Sequence, residues 1–362
     1  MINPIDEKFA RLLVRYSCDV QPGDNVSLNI HSPASDLARA LVREVLTVDA
    51  MPILRMEYPE FEEDLLNFAS DAYFDRAPEF ELNEIRQLQA WIRVRAPLNT
   101  RGLQNVDKSR YSRKLKRNRP VQDHRLDHTK WVGTLYPTDA LAQDAGMSLD
   151  EYEKFAYDAM FLYDDDPVAR WQEQEEYQKK LLERLAQAKE VRIEAEGTDL
   201  TLVTGGRTWV NSAGRHNMPC GEIFTGPIES SANGVIAYKV PSSVNGVEVE
   251  NIRLRFEEGK VVEAKAERGD DLLQSQLNSD DGARYLGELG IGTNYRIQQP
   301  TKQILFDEKI GGTVHLAVGS SYTDTGGVNQ SAIHWDMVCD LRQGGAIYLD
   351  GELFQENGRF LV

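Results

Sequence analysis

The sequence predicts an α/β N-terminal domain with a mainly parallel sheet, followed by a β-rich α+β C-terminal domain. A strand–helix–strand pattern ends near residue 56, a long charged helical segment runs from about 167 to 189, and short β-type segments follow Lys189. With 362 residues, the chain is long enough for two domains. We therefore expect domains at 1–188 and 189–362, with the chemistry in the second and access or assembly in the first.

The first domain starts with an amphipathic helix over residues 4–17. An alternating strand follows, and then Ser32 and Pro33, which suit the cap and first position of a helix. The helix has an apolar face and leads to a further apolar run, which completes a unit of parallel sheet. The predicted strands of this domain are 25–30, 51–56, 90–96 and 131–137.

A parallel sheet invites a nucleotide-binding interpretation, but the sequence lacks the motifs for it. The turn after the first strand, HSPAS, contains no glycine, and there is neither a GxGxxG after that strand nor a GxxxxGK[ST] anywhere. We predict that this domain does not bind a nucleotide.

The charge pattern argues against nucleic-acid and membrane partners. The net charge is −17, and such an acidic chain is repelled by anionic surfaces. The basic run over residues 108–119 suggests a phosphate patch or a helix face that balances acidic neighbours, and we favour the helix face. The three aspartates at 164–166 resemble a metal cluster, but their position in a loop before Pro167 favours a solvated role.

The three cysteines point to a reducing compartment. Cys18, Cys220 and Cys339 form no CxxC pair, and their odd number argues against a disulfide framework. The N-terminal segment carries an early acidic pair and no long apolar core, unlike a signal peptide. No apolar run approaches the roughly 18 residues of a membrane helix. We expect a cytoplasmic protein.

Two histidine-bearing strands are predicted between Gly311 and Asp340. Strand residues two apart point to the same face, so His334 and Asp336 project together while their neighbours face the core. His315 lies in the earlier strand, where Val314, Leu316 and Val318 form the apolar face. Two such strands could supply one polar cavity.

Two glutamates add to this group. Glu222 and Glu288 lie in otherwise apolar, glycine-flanked segments, where a carboxylate is costly to bury unless it is paired or binds a metal. Taken singly, a strand histidine is usually a core or surface residue and a glutamate beside glycine a turn residue. Together, three carboxylates and two imidazoles fit a hydrolytic site for two metals, because Zn²⁺, Co²⁺ or Mn²⁺ accepts mixed nitrogen and oxygen ligands.

At these residues the sequence resembles the thermophilic metallo-aminopeptidases of the aminopeptidase T and aminopeptidase S type, peptidase family M29. The matching motifs, in order, are NMPCGEIFTGP, ARYLGELGIGTN, FDEKIGGTVHLAVGSSY and NQSAIHWDMV. QPGDNV and TKWVGTLYPT extend the resemblance into the N-terminal half. Any one motif is weak, but the ordered set is specific.

The resemblance implies a metal-dependent aminopeptidase that hydrolyses N-terminal residues from peptides, with two divalent ions per subunit (Zn, Co, Mn or Mg) and a metal-bound hydroxide as nucleophile. It also implies a homodimer. Tyr322 matches a family tyrosine near the metals, which could donate a hydrogen bond to the oxyanion. Glu222 or Glu288 could shuttle the proton. The implied metal ligands are Glu222, Glu288, His315, His334 and Asp336.

Two other functions remain open from the sequence. One is another metal-dependent amide or ester hydrolase on the same scaffold. The other is a non-catalytic metal-binding or assembly protein in which the histidines belong to the core. The sequence gives neither the preferred N-terminal residue nor the native metal, nor which carboxylate bridges.

Overall fold

The computed structural model describes residues 2–244 and 246–361. The chain forms two compact units, residues 1–171 with 214–219, and residues 172–213 with 220–362. The predicted cut between residues 188 and 189 thus lies inside the second unit. In the described part of the chain, no helix combines the length and the apolar character needed to cross a bilayer.

The first unit is an α/β unit around a five-stranded parallel sheet in the order β2-β1-β3-β4-β8. All four predicted strands form, and β8 joins them from later in the chain. The strands are β1 Asn25–His31, β2 Met51–Glu57, β3 Ala90–Arg95, β4 Lys130–Leu135 and β8 Asn217–Met218. The helices are α1 Pro4–Arg11, α2 Ser35–Thr47, α3 Phe61–Phe68, α4 Asp71–Asp75, α5 Glu79–Ile85, α6 Lys108–His128, α7 Asp139–Asp144 and α8 Leu149–Ala159.

Local signals explain where several of these helices begin. The sequence SLDE forms a capping box at the start of α8, where Ser148 and Glu151 each hydrogen-bond to the other's backbone. The predicted helix over residues 4–17 is α1 continued by a π-helical segment, Leu12–Ser17. Ser32 and Pro33 open a short 3₁₀ turn, Ser32–Ala34, directly before α2.

The basic segment belongs to α6 and pairs with the acidic helices α3 to α5. Arg113 lies 2.9 Å from both Asp71 and Asp75, and Arg117 lies 2.8 Å from Glu81. The favoured interpretation, a helix face that balances acidic neighbours, therefore agrees with these contacts.

The second unit is built mainly from antiparallel strands. One sheet has eight strands in the order β14-β13-β10-β6-β5-β18-β19-β20, another has five in the order β17-β16-β15-β9-β7, and β11 pairs with β12. The strands are β5 Glu190–Ala195, β6 Thr198–Val203, β7 Val210–Ser212, β9 Glu222–Thr225, β10 Asn233–Tyr238, β11 Ser242–Val244, β12 Val247–Val249, β13 Ile252–Glu257, β14 Lys260–Lys265, β15 Leu286–Gly292, β16 Thr313–Gly319, β17 His334–Asp340, β18 Ala346–Leu349, β19 Glu352–Glu356 and β20 Arg359–Phe360.

The α-helices that follow in the described residues are α9 Pro167–Leu185, which starts in the first unit, α10 Asp270–Leu277 and α11 Ile304–Asp307. Although the sequence predicts a helical insertion near 270–287, α10 ends at Leu277, because turns follow it and β15 begins at Leu286. Two of the loop aspartates support α9. Asp166 accepts hydrogen bonds from the amides of Val168 and Ala169, and Asp164 pairs with Arg170 at 2.9 Å.

The five-stranded sheet has one apolar face and one polar face. Val314, Leu316 and Val318 of β16 lie in the buried apolar cluster of the second unit, as do Trp335 and Met337 of β17. Burying each large apolar side chain contributes about 1.5–3 kcal/mol, which fixes the strand orientation strongly. The alternating residues of both strands must then point to the opposite face.

Candidate metal centre

The polar face of this sheet gathers the predicted site residues in neighbouring rows. Ala317 of β16 pairs with Glu288 on one side and with Asp336 on the other. His315 pairs with Gly290, His334 pairs with Gly319, and Glu222 pairs with Gly292. Each functional side chain thus has an alanine or glycine partner on at least one neighbouring strand, so the face has room for several carboxylates and imidazoles.

A β-bulge in β15 places Glu288 on this face. The pairing of β15 with β16 shifts register between Leu286 and Glu288, so that Leu286 pairs with Val318 and Glu288 with Ala317. In a regular strand Leu286 and Glu288 would share a face, because side chains alternate. With the bulge, Leu286 joins the core while Glu288 turns to the polar side.

The five predicted ligands lie within contact distance of one another. His315 Nε2 is 3.1 Å from Glu288 Oε1 and 3.3 Å from Glu222 Oε2. His334 Nε2 is 3.4 Å from Asp336 Oδ2 and 3.7 Å from Glu288 Oε2. The two oxygens of Glu288 therefore face different histidines, and Glu288 is central to the group.

Two overlapping sets of these residues could each hold a metal ion. Glu222, Glu288 and His315 offer ligand atoms that all lie within 4.8 Å of one another, and Glu288, His334 and Asp336 do the same. The donor set is mixed carboxylate and imidazole, which suits Zn²⁺, Co²⁺ or Mn²⁺. The arrangement of donors therefore fits a two-metal centre.

An unsatisfied buried oxygen supports the same fit. Among the described residues, Asp336 Oδ1 is buried and has no hydrogen-bond partner. A buried carboxylate oxygen without a partner costs free energy, and a bound cation removes that cost. Imidazole orientation also suits metal binding: if His334 Nδ1 donates to the carbonyl of Ser320 at 2.8 Å, the lone pair of the neutral ring lies on Nε2, which faces the carboxylates.

Burial and charge interactions within the centre shift the pKa values of its carboxylates and imidazoles. Burial raises the pKa of Glu288, although the hydrogen bond with His315 opposes that shift. Burial would lower the pKa of His334, but the charge and hydrogen bond of Asp336, together with the charge of Glu288, outweigh burial and raise the pKa to about 10. Conversely, burial would raise the pKa of Asp336, but the charge and hydrogen bond of His334, together with the charges of His315 and Lys309, lower it to about 2. A metal ion bound by His334 must displace that proton.

Tyr322 lies beside the centre, on the open side. Its ring is 5.2 Å from the ring of His334 and 5.6 Å from that of Phe224. The side chain is about half exposed, so its hydroxyl can meet a ligand from solvent. Phe224 pairs with Gly290 across the sheet and so faces the centre as an apolar wall.

Two charged residues of the centre were not predicted from the sequence. Lys309 is fully buried, with its Nζ 3.3 Å from Glu222 Oε1, and it also contacts the carboxylate of Glu308. Glu308, His315 and Asp336 form a third set of clustered ligand atoms. The signal available in the sequence was a pair of charges shortly before two glycines and a buried strand, a pattern that is common in ordinary turns.

A buried glutamine fixes the backbone at Glu222. Gln178 of α9 donates hydrogen bonds through Nε2 to the carbonyl oxygen of Glu222 at 2.8 Å and to Asn211 Oδ1 at 2.7 Å. Its Oε1 accepts from Thr293 Oγ1 at 3.1 Å. The predicted charged helix therefore also has a buried polar contact that holds β9.

The chain is similar to known proteins along nearly its whole length. The family model described as thermophilic metalloprotease (M29) matches residues 5–360. The chain is 27% identical to Aminopeptidase 2 of Geobacillus stearothermophilus, over 92% of this chain and 91% of that protein. It is 26% identical to Aminopeptidase T of Thermus thermophilus, over 98% of both chains. A solved structure of wild-type AmpT from Thermus thermophilus has the same fold, with a TM-score of 0.84, 23% identity and 99% coverage of both chains.

The fold and the match along nearly the whole chain define a metal-dependent peptidase. The chain belongs to the thermophilic metalloprotease family M29. The predicted class of enzyme, a metallo-aminopeptidase acting on peptide bonds, is thereby confirmed at the level of the family and its named relatives. The predicted fold class is confirmed as well.

Proposed function

We propose that this protein removes N-terminal residues from peptides through a centre for two divalent ions. The observation that carries the proposal is the position of Glu288, whose two oxygens face the two histidines and which belongs to both ligand sets. Glu222 and His315 would complete the first site, and His334 and Asp336 the second. Relatives of the chain are named aminopeptidases, which supports an exopeptidase substrate.

Two bound ions would supply Lewis acidity and an activated water, held as hydroxide at neutral pH, to attack the scissile carbonyl. The protein's own residues would do the rest. Glu288 would hold both ions, and Glu222 or Glu288 would carry the proton from the attacking water to the leaving amine. The acidic surroundings would attract the positively charged α-amine of the peptide. The ions would be Zn, Co, Mn or Mg.

The direct test compares free and blocked peptides. We expect release of the N-terminal residue from a tripeptide with a free amine and none from its N-acetylated form, because the acetyl group removes the charge that the centre would bind. Stripping the protein with a chelator should abolish the activity, and adding back a divalent ion should restore it. Activity that survives complete metal removal would refute the proposal, and cleavage confined to esters would favour the other hydrolase.

Tyr322 would donate its hydroxyl hydrogen to the oxyanion of the tetrahedral intermediate. We expect Tyr322→Phe to lower kcat by about 10²-fold, as is typical when one oxyanion donor is lost. Metal content, measured by mass spectrometry, should stay unchanged because the hydroxyl is not among the proposed ligands. Tyr348→Phe, on β18 of the same unit, is the matched control. An unchanged kcat in Tyr322→Phe would remove the residue from the mechanism.

The remaining predictions concern the setting of the enzyme. We propose a homodimer in the cytoplasm whose substrates are peptides, with the first unit serving access or assembly. These proposals rest on the sequence and on the family resemblance.

A further inference from the structure

A fully buried lysine lies inside the group of carboxylates. Lys309 contacts Glu222 and Glu308, and its side chain has no exposure to solvent. Its backbone is held on both sides, since its amide donates to the carbonyl of Phe306 and its carbonyl accepts from the amide of Asn294, each at 3.0 Å. Burying an ammonium is costly unless it is paired, so its place among acidic groups is a strongly specified feature of the fold.

The two oxygens of Glu222 have different partners, and Lys309 is one of them. Oε1 faces the ammonium at 3.3 Å, whereas Oε2 faces His315 Nε2 at 3.3 Å. That contact uses part of the acceptor capacity of Oε1, which leaves Oε2 as the better metal ligand of Glu222. The ammonium also offsets part of the repulsion within the acidic group when no ion is bound.

Lys309 also engages Glu308, which would otherwise be a further ligand. The carboxylate of Glu308 clusters with His315 and Asp336 closely enough to join a metal site. Contact with the ammonium competes with that use. A neutral side chain at position 309 would leave both Glu222 and Glu308 free to bind a cation.

We propose that Lys309 is a positioning residue, a built-in counter-cation that leaves Oε2 as the better metal ligand of Glu222 and lowers the affinity of the centre for divalent ions. The inference rests on the proposed two-metal function. The direction of the expected change in metal affinity distinguishes this role from a purely structural one. A lysine that merely supported the fold would leave metal affinity unchanged or weaker when replaced, whereas removal of a counter-cation makes the centre more anionic and its binding of cations tighter.

The test is calorimetric titration of Co²⁺ into chelator-stripped protein. We expect Lys309→Met to bind Co²⁺ at least about tenfold more tightly than the wild type, because a unit positive charge near a divalent ion is removed. Lys309→Gln should also bind Co²⁺ more tightly. Because it keeps a hydrogen-bonding group, it serves as the second variant if Lys309→Met folds poorly. Lys302→Met is the matched control, since Lys302 pairs with Glu248 at 2.9 Å, outside the proposed ligand set.

A second readout separates positioning from folding. Co²⁺ should raise the melting temperature of the Lys309 variants more than that of the wild type, because only the metal-free variants lack compensating charge. Equal or weaker Co²⁺ affinity in the variants, with wild-type binding intact, would overturn the role of Lys309 alone. A wild-type protein that bound no Co²⁺ would overturn the two-metal proposal and this inference with it.

Discussion

Glu288→Gln is expected to abolish both metal binding and peptidase activity while leaving the fold intact. Glu288 is the residue common to the two ligand sets, so its loss removes a ligand from both sites. We expect activity to fall on the order of 10³-fold or more, since the ions supply several kcal/mol of transition-state stabilisation. Metal analysis and kcat/KM on a tripeptide measure the two effects.

The same substitution should not destabilise the metal-free protein. Burial raises the pKa of Glu288, which means that the fold disfavours its charge, and Asp336 and Glu222 add repulsion. An uncharged amide of the same shape removes that cost, so we expect a melting temperature at or above that of the metal-free wild type. Glu263→Gln, on an exposed edge of β14, is the matched control for loss of one carboxylate. Full metal content in Glu288→Gln would contradict its placement as the shared ligand.

Gly290→Ala is expected to disable the centre from the neighbouring strand. A Cβ at Gly290 would lie 1.9 Å from His315 Nε2 and 2.1 Å from its Cε1, far inside van der Waals contact. The imidazole would have to turn away, and His315 is buried among the carboxylates with little room to do so. We expect activity to fall by about 10²-fold or more, together with a loss of stability of about 1–3 kcal/mol from overpacking.

Gly133→Ala provides the control for a glycine in a strand. A Cβ there would lie 3.8 Å from its nearest neighbour, Asn217 Oδ1, which is an ordinary contact distance. That variant should keep wild-type activity. If Gly290→Ala also kept full activity and metal content, the close packing of His315 against β15 would not matter to the site.

Part of the centre could be predicted from the alternation of side chains along a strand. The spacing of His334 and Asp336 places them on one face without knowledge of any other strand, and the structure has them 3.4 Å apart. The grouping of Glu222 and Glu288 with the histidines depended on the burial cost of carboxylates and on the family resemblance. These arguments concern residue types within a strand, where the sequence pattern is informative.

The features that the sequence did not predict depend on pairing between strands. The bulge beside Leu286 sets the face of Glu288, and in the local pattern Gly287 alone marks the register shift. The need for a glycine at position 290 is evident only from its pairing with His315. Lys309 reads as a turn residue until the fold buries it against Glu222. All three features depend on tertiary contacts, so local sequence patterns do not predict them.

The position of the bound ions tests the account most directly. Anomalous scattering from crystals of the Co²⁺-loaded protein should show two peaks roughly 3.5–4 Å apart, both in contact with Glu288. One peak should lie against Glu222 and His315, and the other against His334 and Asp336. A single peak, or peaks that do not touch Glu288, would contradict the proposed two-metal centre.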